Sequence, residues 1–498
     1  MRDAFSRRAD TTPDSEALID PATDRTWSYA DLDADVRDTA GVLASQGIAP
    51  GDRVAVLMEP RPAFVRLVHA TARLGAVLVP LNVQLTVPEL REHASLVDPD
   101  LFVCESGTES VAEALVDGPT LSVDRSRSPD GPRVEPHRWE EDEHRVVLFT
   151  SGTTGEPKGV PLTAGNLRAS ATASALRLGV LPDDRWLDPL PPYHMGGLAP
   201  IVRSAVYGTA VVLQREFDPD RTVTLATEYG VTGMSVVPTM LRRLLDADES
   251  LPETLRFVLT GGAPTPPALV ARCAASGIPV CPTYGMTETA SQVATATPGA
   301  AHERPESSGR PLSTTQVTVV NDDGERVPAG ETGELVVDGP TVTPGYLDRN
   351  KQEGGEDESF GPHGFHTGDV GYRDESGYVY VLNRRSDRII TGGKNVHPGE
   401  VIAALRGLPG IADAFVLGLS DPEWGERVGA LIVPAGDDEG FDPSDKPISI
   451  REGLGDRLAP YKHPRTVAVV DALPRTVSGT VDRDRARKRL LADGVEIG

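Results

Sequence analysis

Residues 150–159 read TSGTTGEPKG and directly follow the apolar run RVVLF of residues 145–149. The apolar run predicts a buried strand, and the small residues after it predict a loop. Glycines let backbone amides approach an anion closely, while the hydroxyl groups and Lys158 add donors and one positive charge. One interpretation is a flexible connection. The order of the residues favours a phosphate-binding loop, and its spacing differs from the GxxxxGK[ST] of P-loop NTPases.

A second strong signal is the heptad TYGMTET at residues 283–289, which also follows a strand-like segment. Tyr284 offers an aromatic face on which an adenine can stack. Thr287 can donate to an α-phosphate, and Glu288 is a hard oxygen ligand of the kind that Mg²⁺ prefers. Glu288 alone would be interpreted as a surface residue, but within the heptad it predicts a metal-nucleotide site.

Three weaker segments fit a nucleotide site as well. Residues 259–264, LTGGAP, end a strand where ligands of open α/β sheets collect, although a tight turn explains them equally. His194 in PPYH precedes two glycines, which favours close approach of a ligand over the more common structural role of a lone histidine. Asp369 in TGD can accept two hydrogen bonds from a ribose diol, but such turns are common.

Taken together, these segments resemble those of the adenylate-forming enzymes, which include acyl-CoA synthetases, luciferases and peptide-synthetase adenylation domains. The resemblance extends from about Asp14 to Leu490. It implies that a carboxylate attacks the α-phosphate of ATP with Mg²⁺ bound, that pyrophosphate leaves, and that coenzyme A then takes the acyl group. It also implies that a small C-terminal domain rotates about Ser386 between the two half-reactions. No carrier domain follows, which argues against a peptide-synthetase module.

The resemblance assigns roles to individual residues. The expected catalytic residues are Lys158, His194, Thr287 and Glu288, and His194 lies at the floor of the acyl pocket. The expected nucleotide-binding residues are Thr150, Ser151, Gly152, Thr153, Thr154, Gly155, Lys158, Gly261, Gly262, Ala263, Thr283, Tyr284, Gly285, Met286, Thr287, Asp369 and Arg384. The expected metal ligands are Glu288 and Thr150, the acyl-binding residues are His194, Arg203, Gly262 and Gly285, and the CoA-binding residues are Gly392, Gly393 and Lys394.

Within the family, three stretches are similar to the o-succinylbenzoate–CoA ligases of menaquinone biosynthesis: residues 191–198, 284–292 and 380–387. Arg203 supports this choice because it lies in an apolar stretch, and a buried arginine needs an anionic partner. A substrate with a second carboxylate would provide one. The alternatives are an Arg203 that lies on the surface or is paired internally, and a medium-chain fatty or aryl acyl-CoA ligase.

One segment departs from the family. Its C-terminal pattern Pro-x-Thr-x-x-Gly-Lys reads PRTVSGT at residues 474–480, so Thr480 stands where the family has a lysine that contacts the α-phosphate. Arg475, Arg483 or Lys488 could substitute, although an arginine is not equivalent to a lysine in a tight site. Slow adenylation and a nucleotide-binding relative without catalysis are therefore open alternatives.

The order of elements predicts the fold class. Alternating helix and strand patterns in the first third, with strands near 53–58, 76–81 and 101–104, indicate parallel strands covered by helices. We expect a large N-terminal α/β domain with parallel sheets and β segments at residues 1–384, and a small C-terminal α+β domain at 385–498. The hinge is expected near 383–387.

Composition sets further limits. The chain has 74 acidic and 49 basic residues, a net charge of −25, with the acidic residues spread along the sequence. Such a surface repels nucleic acid and anionic membranes, and we interpret it as adaptation to a high-salt cytoplasm. Three cysteines without metal-like spacing, no signal peptide and no span long enough to cross a bilayer also favour the cytoplasm. The oligomeric state is left open, a homo-oligomer included.

Overall fold

The protein is described here by a computed structural model. The structure describes residues 2–115, 118–125, 131–151, 157–248, 250–347, 359–391, 394–422, 424–435, 450, 453–455, 457–475 and 481–496. Its strands, in chain order, are β1 Glu16–Asp20, β2 Arg25–Ser28, β3 Arg53–Leu57, β4 Val77–Pro80, β5 Leu101–Cys104, β6 Thr120–Ser122, β7 His144–Ser151, β8 Pro157–Thr163, β9 Arg185–Asp188, β10 Ala210–Leu213, β11 Gly233–Val236, β12 Phe257–Thr260, β13 Val280–Met286, β14 Ser291–Thr295, β15 Arg310–Pro311, β16 Gln316–Val320, β17 Gly333–Asp338, β18 Phe360–Gly361, β19 Gly364–Arg373, β20 Val379–Arg384, β21 Ile389–Thr391, β22 Lys394–Val396, β23 Ile411–Asp421, β24 Gly425–Pro434, β25 Thr466–Val469 and β26 Val495–Glu496.

The helices are α1 Ala4–Thr11, α2 Tyr29–Ser45, α3 Pro62–Leu74, α4 Val87–Val97, α5 Glu109–Leu115, α6 Ala164–Leu178, α7 Met195–Tyr207, α8 Pro219–Glu228, α9 Pro238–Leu245, α10 Pro267–Ala275, α11 Pro298–Glu303, α12 Pro398–Arg406 and α13 Arg483–Asp493. Short 3₁₀ turns are formed by Thr287–Thr289, Arg385–Asp387 and Pro460–Lys462. Among the described residues, no helix is both long and apolar enough to cross a membrane.

The chain divides into two compact units. The first contains residues 1–318, 336–365 and 376–379, and the second contains residues 319–335, 366–375 and 380–498. The predicted division at 384/385 stays a prediction.

Two sheets build most of the first unit. One has the strand order β6-β5-β3-β4-β7-β8 and the other the order β15-β14-β13-β12-β11-β9-β10-β1-β2. Their central strands are parallel, as the sequence predicts. Val54 and Val56 pack into one hydrophobic core and Ala55 and Leu57 into another, so both faces of β3 are buried. Burial on both faces explains why these strands are continuous apolar runs.

A further sheet has the order β16-β17-β19-β18, with β20 beside β19. In the second unit, β22-β21-β24-β25-β26 form a sheet in which β23 pairs with β24. Helix α12 packs over it and begins at Pro398. The predicted combination of a large α/β part and a small α+β part is confirmed.

One local prediction needs correction. Residues 150–151 and 157–159 do not belong to a loop, because β7 extends to Ser151 and pairs in an antiparallel ladder with β8, which starts at Pro157. Helix α2 begins at Tyr29, where Ser28 and Asp31 form a capping box. Thr163 is the N-cap of α6 and accepts a hydrogen bond from the Asn166 amide.

Candidate active site

The β7–β8 hairpin places the first group of predicted residues. Thr150 lies near the end of β7 and pairs across the ladder with Lys158 in β8. The ammonium Nζ of Lys158 lies 4.5 Å above the centre of the Tyr346 ring. Ser151 ends β7. The predicted phosphate-binding residues Gly152, Thr153, Thr154 and Gly155 lie outside the described residues.

The heptad forms the end of β13 and the 3₁₀ turn that follows it. A side chain at Gly285 would place its Cβ 1.7 Å from the carbonyl oxygen of Ser291, so only glycine fits there. After the turn, Ala290 and Ser291 have positive φ angles of 51° and 107°. Positive φ is costly for residues with a side chain, and such strain concentrates at ligand sites. The two residues that follow the heptad are therefore held in a conformation that residues with a side chain do not favour.

The structure brings the hairpin and the heptad together. The turn Thr287–Thr289 contacts β8. Tyr346 connects them further, because its hydroxyl donates to Oε1 of Glu288 at 2.8 Å while its ring faces Lys158. A cation and a carboxylate that are far apart in sequence thus meet on one tyrosine, as a site for an anionic ligand with a metal ion requires.

Glu288 and the Thr150 hydroxyl are oxygen donors of the kind that a hard cation prefers. Among the described residues, no group of three or more His, Cys, Asp or Glu side chains is arranged to hold a metal. Mg²⁺ bound by Glu288 and the Thr150 hydroxyl would have to complete its shell with phosphate oxygens and water. Mg²⁺ sites in nucleotide enzymes have this composition.

The glycines after β12 lie beside the start of the heptad. Added to Gly261, a Cβ would be 2.6 Å from Cγ2 of Thr283, so the two segments are in close contact. Gly262 has a positive φ of 78° and is exposed, and Ala263 follows it half-buried. The predicted position at the carboxyl edge of the sheet is confirmed, since β12 and β13 are parallel neighbours.

His194 is the N-cap residue of α7 and packs edge-on against the ring of Tyr193, with 4.9 Å between the ring centres. More than a third of the residue is exposed, yet the surrounding protein lowers the pKa of His194 through partial desolvation. The imidazole is therefore neutral at pH 7. The glycines after it have a structural explanation, since a Cβ on Gly197 would be 2.3 Å from the Leu190 carbonyl oxygen.

Arg203, also on α7, is buried with a relative exposure of 3%. Its guanidinium donates to neutral oxygens only: Nη2 to Ser170 Oγ at 2.8 Å, and Nη1 to Gln292 Oε1 at 3.0 Å and Ser174 Oγ at 3.3 Å. No described carboxylate pairs with it, its Nε is buried without a hydrogen-bond partner in the described structure, and burial lowers its pKa.

These contacts place Arg203 beside the heptad. Gln292 pairs with Gly285 across the β13–β14 ladder, and Ser170 donates to the carbonyl oxygen of Ala290 at 2.6 Å. A positive charge that has no anionic partner among the described residues therefore lies next to the turn that carries Glu288.

The second unit contains the remaining predicted residues. Asp369 lies within β19 rather than in a turn, is 5% exposed, and pairs with Nε of Arg384 at 2.7 Å. Lys394 begins β22, with Nζ 4.7 Å from the centre of the Tyr461 ring. Ser386 lies in the 3₁₀ turn Arg385–Asp387. Gly392, Gly393 and Thr480 lie outside the described residues.

The sequence alone did not identify two side chains, Tyr346 and Asp188, as candidate functional residues. Tyr346 stands in a TPGYL turn and shows its connection to Lys158 and Glu288 only in three dimensions. Asp188 ends β9 with 1% exposure, its Oδ1 has no partner in the described structure, and burial raises the pKa of Asp188 well above its usual value. A charged residue inside the apolar run WLDPL was the available signal for Asp188.

Comparison with known proteins agrees with this geometry. The family described as AMP-binding enzyme matches residues 5–347, and the AMP-binding enzyme C-terminal domain matches residues 400–480. The chain is 38% identical to the 2-succinylbenzoate–CoA ligase of Bacillus licheniformis, over 97% of this chain and 98% of that protein.

Two solved structures are also similar. The o-succinylbenzoate CoA synthetase from Bacillus subtilis in complex with the acyl-adenylate intermediate OSB-AMP has a TM-score of 0.85 and 35% identity, covering 100% of this chain and 99% of that one. The same enzyme in complex with ATP and magnesium ion has a TM-score of 0.85 and 35% identity, covering 97% of this chain and 99% of that one.

Proposed function

Because the chain belongs to the AMP-binding enzyme family, we propose that it is an ATP-dependent carboxylate–CoA ligase whose acid is 2-succinylbenzoate, the acid named for its relatives. In the first half-reaction a carboxylate oxygen bonds to the α-phosphorus of ATP and pyrophosphate leaves. In the second, the sulfur of coenzyme A bonds to the acyl carbon and AMP leaves with the oxygen. This places the enzyme in menaquinone biosynthesis.

The carboxylate must be activated because its charge repels nucleophiles and oxide is a poor leaving group. The α-phosphate gains negative charge in the transition state, so preorganised donors accelerate the reaction. Lys158 and the Thr287 hydroxyl would be two of these donors, and the contact between β8 and the 287–289 turn supports this assignment. Glu288 and Thr150 would hold Mg²⁺, which neutralises phosphate charge when bound.

The adenosine part would use the segments next to the heptad. Gly262 is exposed, Gly261 beside Thr283 is half-buried as is Ala263, and the adenine is assigned to these residues and to the ring of Tyr284. In the second unit, Asp369 and Arg384 are assigned to the ribose, and the two side chains form an ion pair at 2.7 Å. Lys394, Gly392 and Gly393 are assigned to coenzyme A, and the rotation between half-reactions is assigned to Ser386.

The observation that carries the choice of acid is the unpaired charge of Arg203. A buried guanidinium that contacts only neutral oxygens has been desolvated without Coulombic compensation. A second carboxylate would supply that compensation through charge-assisted hydrogen bonds. A fatty acid has no second carboxylate, so a buried arginine at this position would only weaken its binding. His194, neutral at pH 7, would lie against the acid without attracting it electrostatically.

The assay is pyrophosphate release with 2-succinylbenzoate, benzoate and medium-chain fatty acids, each with ATP, Mg²⁺ and coenzyme A in concentrated KCl. We expect release with 2-succinylbenzoate far above that with the monocarboxylic acids. Glu288→Gln is the matched inactive control and should lose release with every acid. Release with fatty acids or benzoate alone would replace the assigned substrate, and ATP binding without release would favour a non-catalytic relative lacking the lysine replaced by Thr480.

The acidic surface and the cysteines bear on the salt concentration and the redox state of the compartment in which the enzyme works. We assign the net charge of −25 to a halophilic host, whose salt screens the self-repulsion. All three cysteines are buried and unpaired, and burial raises the pKa of Cys104 and Cys273 to about 11 and that of Cys281 to about 12. Thiols kept free in this way support a reducing cytoplasm.

A further inference from the structure

Tyr346 contacts two residues of the proposed nucleotide site at once. Its hydroxyl donates to Oε1 of Glu288 at 2.8 Å, and Nζ of Lys158 lies 4.5 Å from its ring centre. A carboxylate has two oxygens with several lone pairs, so the bond from Tyr346 leaves Oε2 available to a cation. One half-buried side chain thus sets the direction of both the carboxylate and the ammonium group.

The segment that carries Tyr346 is itself fixed on both sides. The Leu347 amide donates to the carbonyl oxygen of Gly159 in β8 at 2.8 Å. The Thr343 amide donates to the carbonyl oxygen of Glu288 at 2.8 Å, and its hydroxyl donates to that of Pro161 at 2.6 Å. Residues 343–347 therefore bridge β8 and the 287–289 turn through the backbone. A rigid bridge lets the tyrosine hold its two partners at a fixed separation.

We propose that Tyr346 is a positioning residue that orients Glu288 toward Mg²⁺ through its hydroxyl and Lys158 toward the phosphates through its ring. This inference rests on the proposed function, which supplies the metal nucleotide. Mg²⁺ demands near-octahedral geometry and would take few protein ligands here, so the orientation of the single carboxylate of Glu288 would affect its binding. Partners that hydrogen-bond a metal ligand change metal affinity about 10–100-fold when they are removed.

The test compares one variant that removes the Tyr346 hydroxyl, one that removes its whole ring, and a control that leaves Tyr346 intact. Tyr346→Phe keeps the ring and loses the bond to Glu288, so we expect metal affinity to fall about 10–100-fold while KM for the acid stays unchanged. Tyr346→Leu also loses the contact between the ring and Lys158. Its KM for ATP should therefore be higher than that of Tyr346→Phe. Tyr29→Phe is the matched control, since its hydroxyl donates to the carbonyl oxygens of Ser204 and Thr209, both at 2.9 Å.

Metal affinity is measured in two ways. Mn²⁺ binding to each protein with a non-hydrolysable ATP analogue, followed by electron paramagnetic resonance, requires no turnover. The Mg²⁺ dependence of pyrophosphate release then separates the metal constant from kcat. In a double-mutant cycle, Tyr346→Phe should have little further effect on Mn²⁺ binding in a Glu288→Gln background, because the oriented carboxylate is already gone.

The possible results distinguish failure of the positioning role of Tyr346 from failure of the proposed function. Parent-like Mn²⁺ binding in Tyr346→Phe, additive effects in the cycle, or an equal loss in Tyr29→Phe would overturn the positioning role. A parent protein that fails to bind the Mn²⁺ nucleotide would overturn it together with the proposed function. If the Mn²⁺ difference is present but no acid is activated, the role of Tyr346 stands and the proposed reaction fails.

Discussion

Replacing Arg203 by leucine should separate recognition of the acid from recognition of ATP. The guanidinium is 3% exposed, donates to Ser170, Ser174 and Gln292, and has no carboxylate partner among the described residues. If the second carboxylate of the acid is that partner, the substitution removes one half of a buried, hydrogen-bonded charge pair. KM for ATP should remain within about twofold of the parent value, because no part of ATP is assigned to Arg203.

The expected size of the effect follows from burial. Truncating one member of a buried charge pair costs about 2–5 kcal/mol. Because about 1.4 kcal/mol corresponds to a factor of ten, kcat/KM for 2-succinylbenzoate should fall by about 30-fold to several thousand-fold. The free energy of unfolding should change little, because two effects oppose each other. Removing a buried charge without a charged partner stabilises the fold, whereas the oxygens of Ser170, Ser174 and Gln292 lose a hydrogen-bond donor.

The assay uses analogues that lack one carboxylate each, 4-oxo-4-phenylbutanoate and 2-butanoylbenzoate. Whichever analogue the parent still activates should be used equally well by Arg203→Leu, because it carries nothing for Arg203 to bind. Arg177→Leu is the matched control: Arg177 is half-buried and donates to the carbonyl oxygens of Thr295 and Pro311 at 2.8 and 2.9 Å. It should lower stability without changing the preference for the diacid. Equal losses in kcat/KM for the diacid and the analogue would refute the assignment.

The remaining predictions concern the heptad, the acidic surface and one buried histidine. Gly285→Ala forces a Cβ to within 1.7 Å of Ser291 and should abolish nucleotide binding by calorimetry, whereas Gly299→Ala, with no atom within 4 Å, should leave it unchanged. The melting temperature should fall by several degrees as KCl is lowered from about 2 M to about 0.1 M, because the screening length grows to about 10 Å; a flat profile would contradict halophilic adaptation. His69 stacks on Phe5 and burial lowers its pKa to about 3. It stays neutral in the folded protein but gains a proton near pH 6.5 when unfolded, so its contribution to the unfolding free energy is complete above pH 6.5 and declines by about 1.4 kcal/mol per pH unit toward pH 3. Denaturant titrations at pH 7.5 and pH 5 should therefore differ less for His69→Gln than for the parent.

Strands with both faces buried were predictable because their composition alone signals them. β3 and β4 are uninterrupted apolar runs, and the structure places them within one or two residues of the predicted bounds. β8 was missed because Pro157 and Pro161 interrupt its pattern. Proline is tolerated there because β8 is the edge strand of its sheet, and among the described residues its outer side carries only the isolated bridge between Gly159 and Leu347.

The site was predictable where a residue type carries its own chemistry. The burial of Arg203 followed from the apolar residues around it. The neutral partners of Arg203 were not predictable, since Ser170 and Gln292 come from α6 and β14 and meet it only in the folded chain. Tyr346 was missed for the same reason, because a hydrogen bond to Glu288 leaves no local pattern in the sequence.

The central claim is that the β7–β8 hairpin and the 283–289 heptad hold one metal nucleotide, with an organic acid beside Arg203. A crystal structure with a non-hydrolysable adenylate of 2-succinylbenzoate tests it most directly. We predict that its phosphate analogue lies between Lys158 and Thr287 and that its free carboxylate contacts Arg203. A ligand held elsewhere, or one that touches the hairpin or the heptad but not both, would contradict the account.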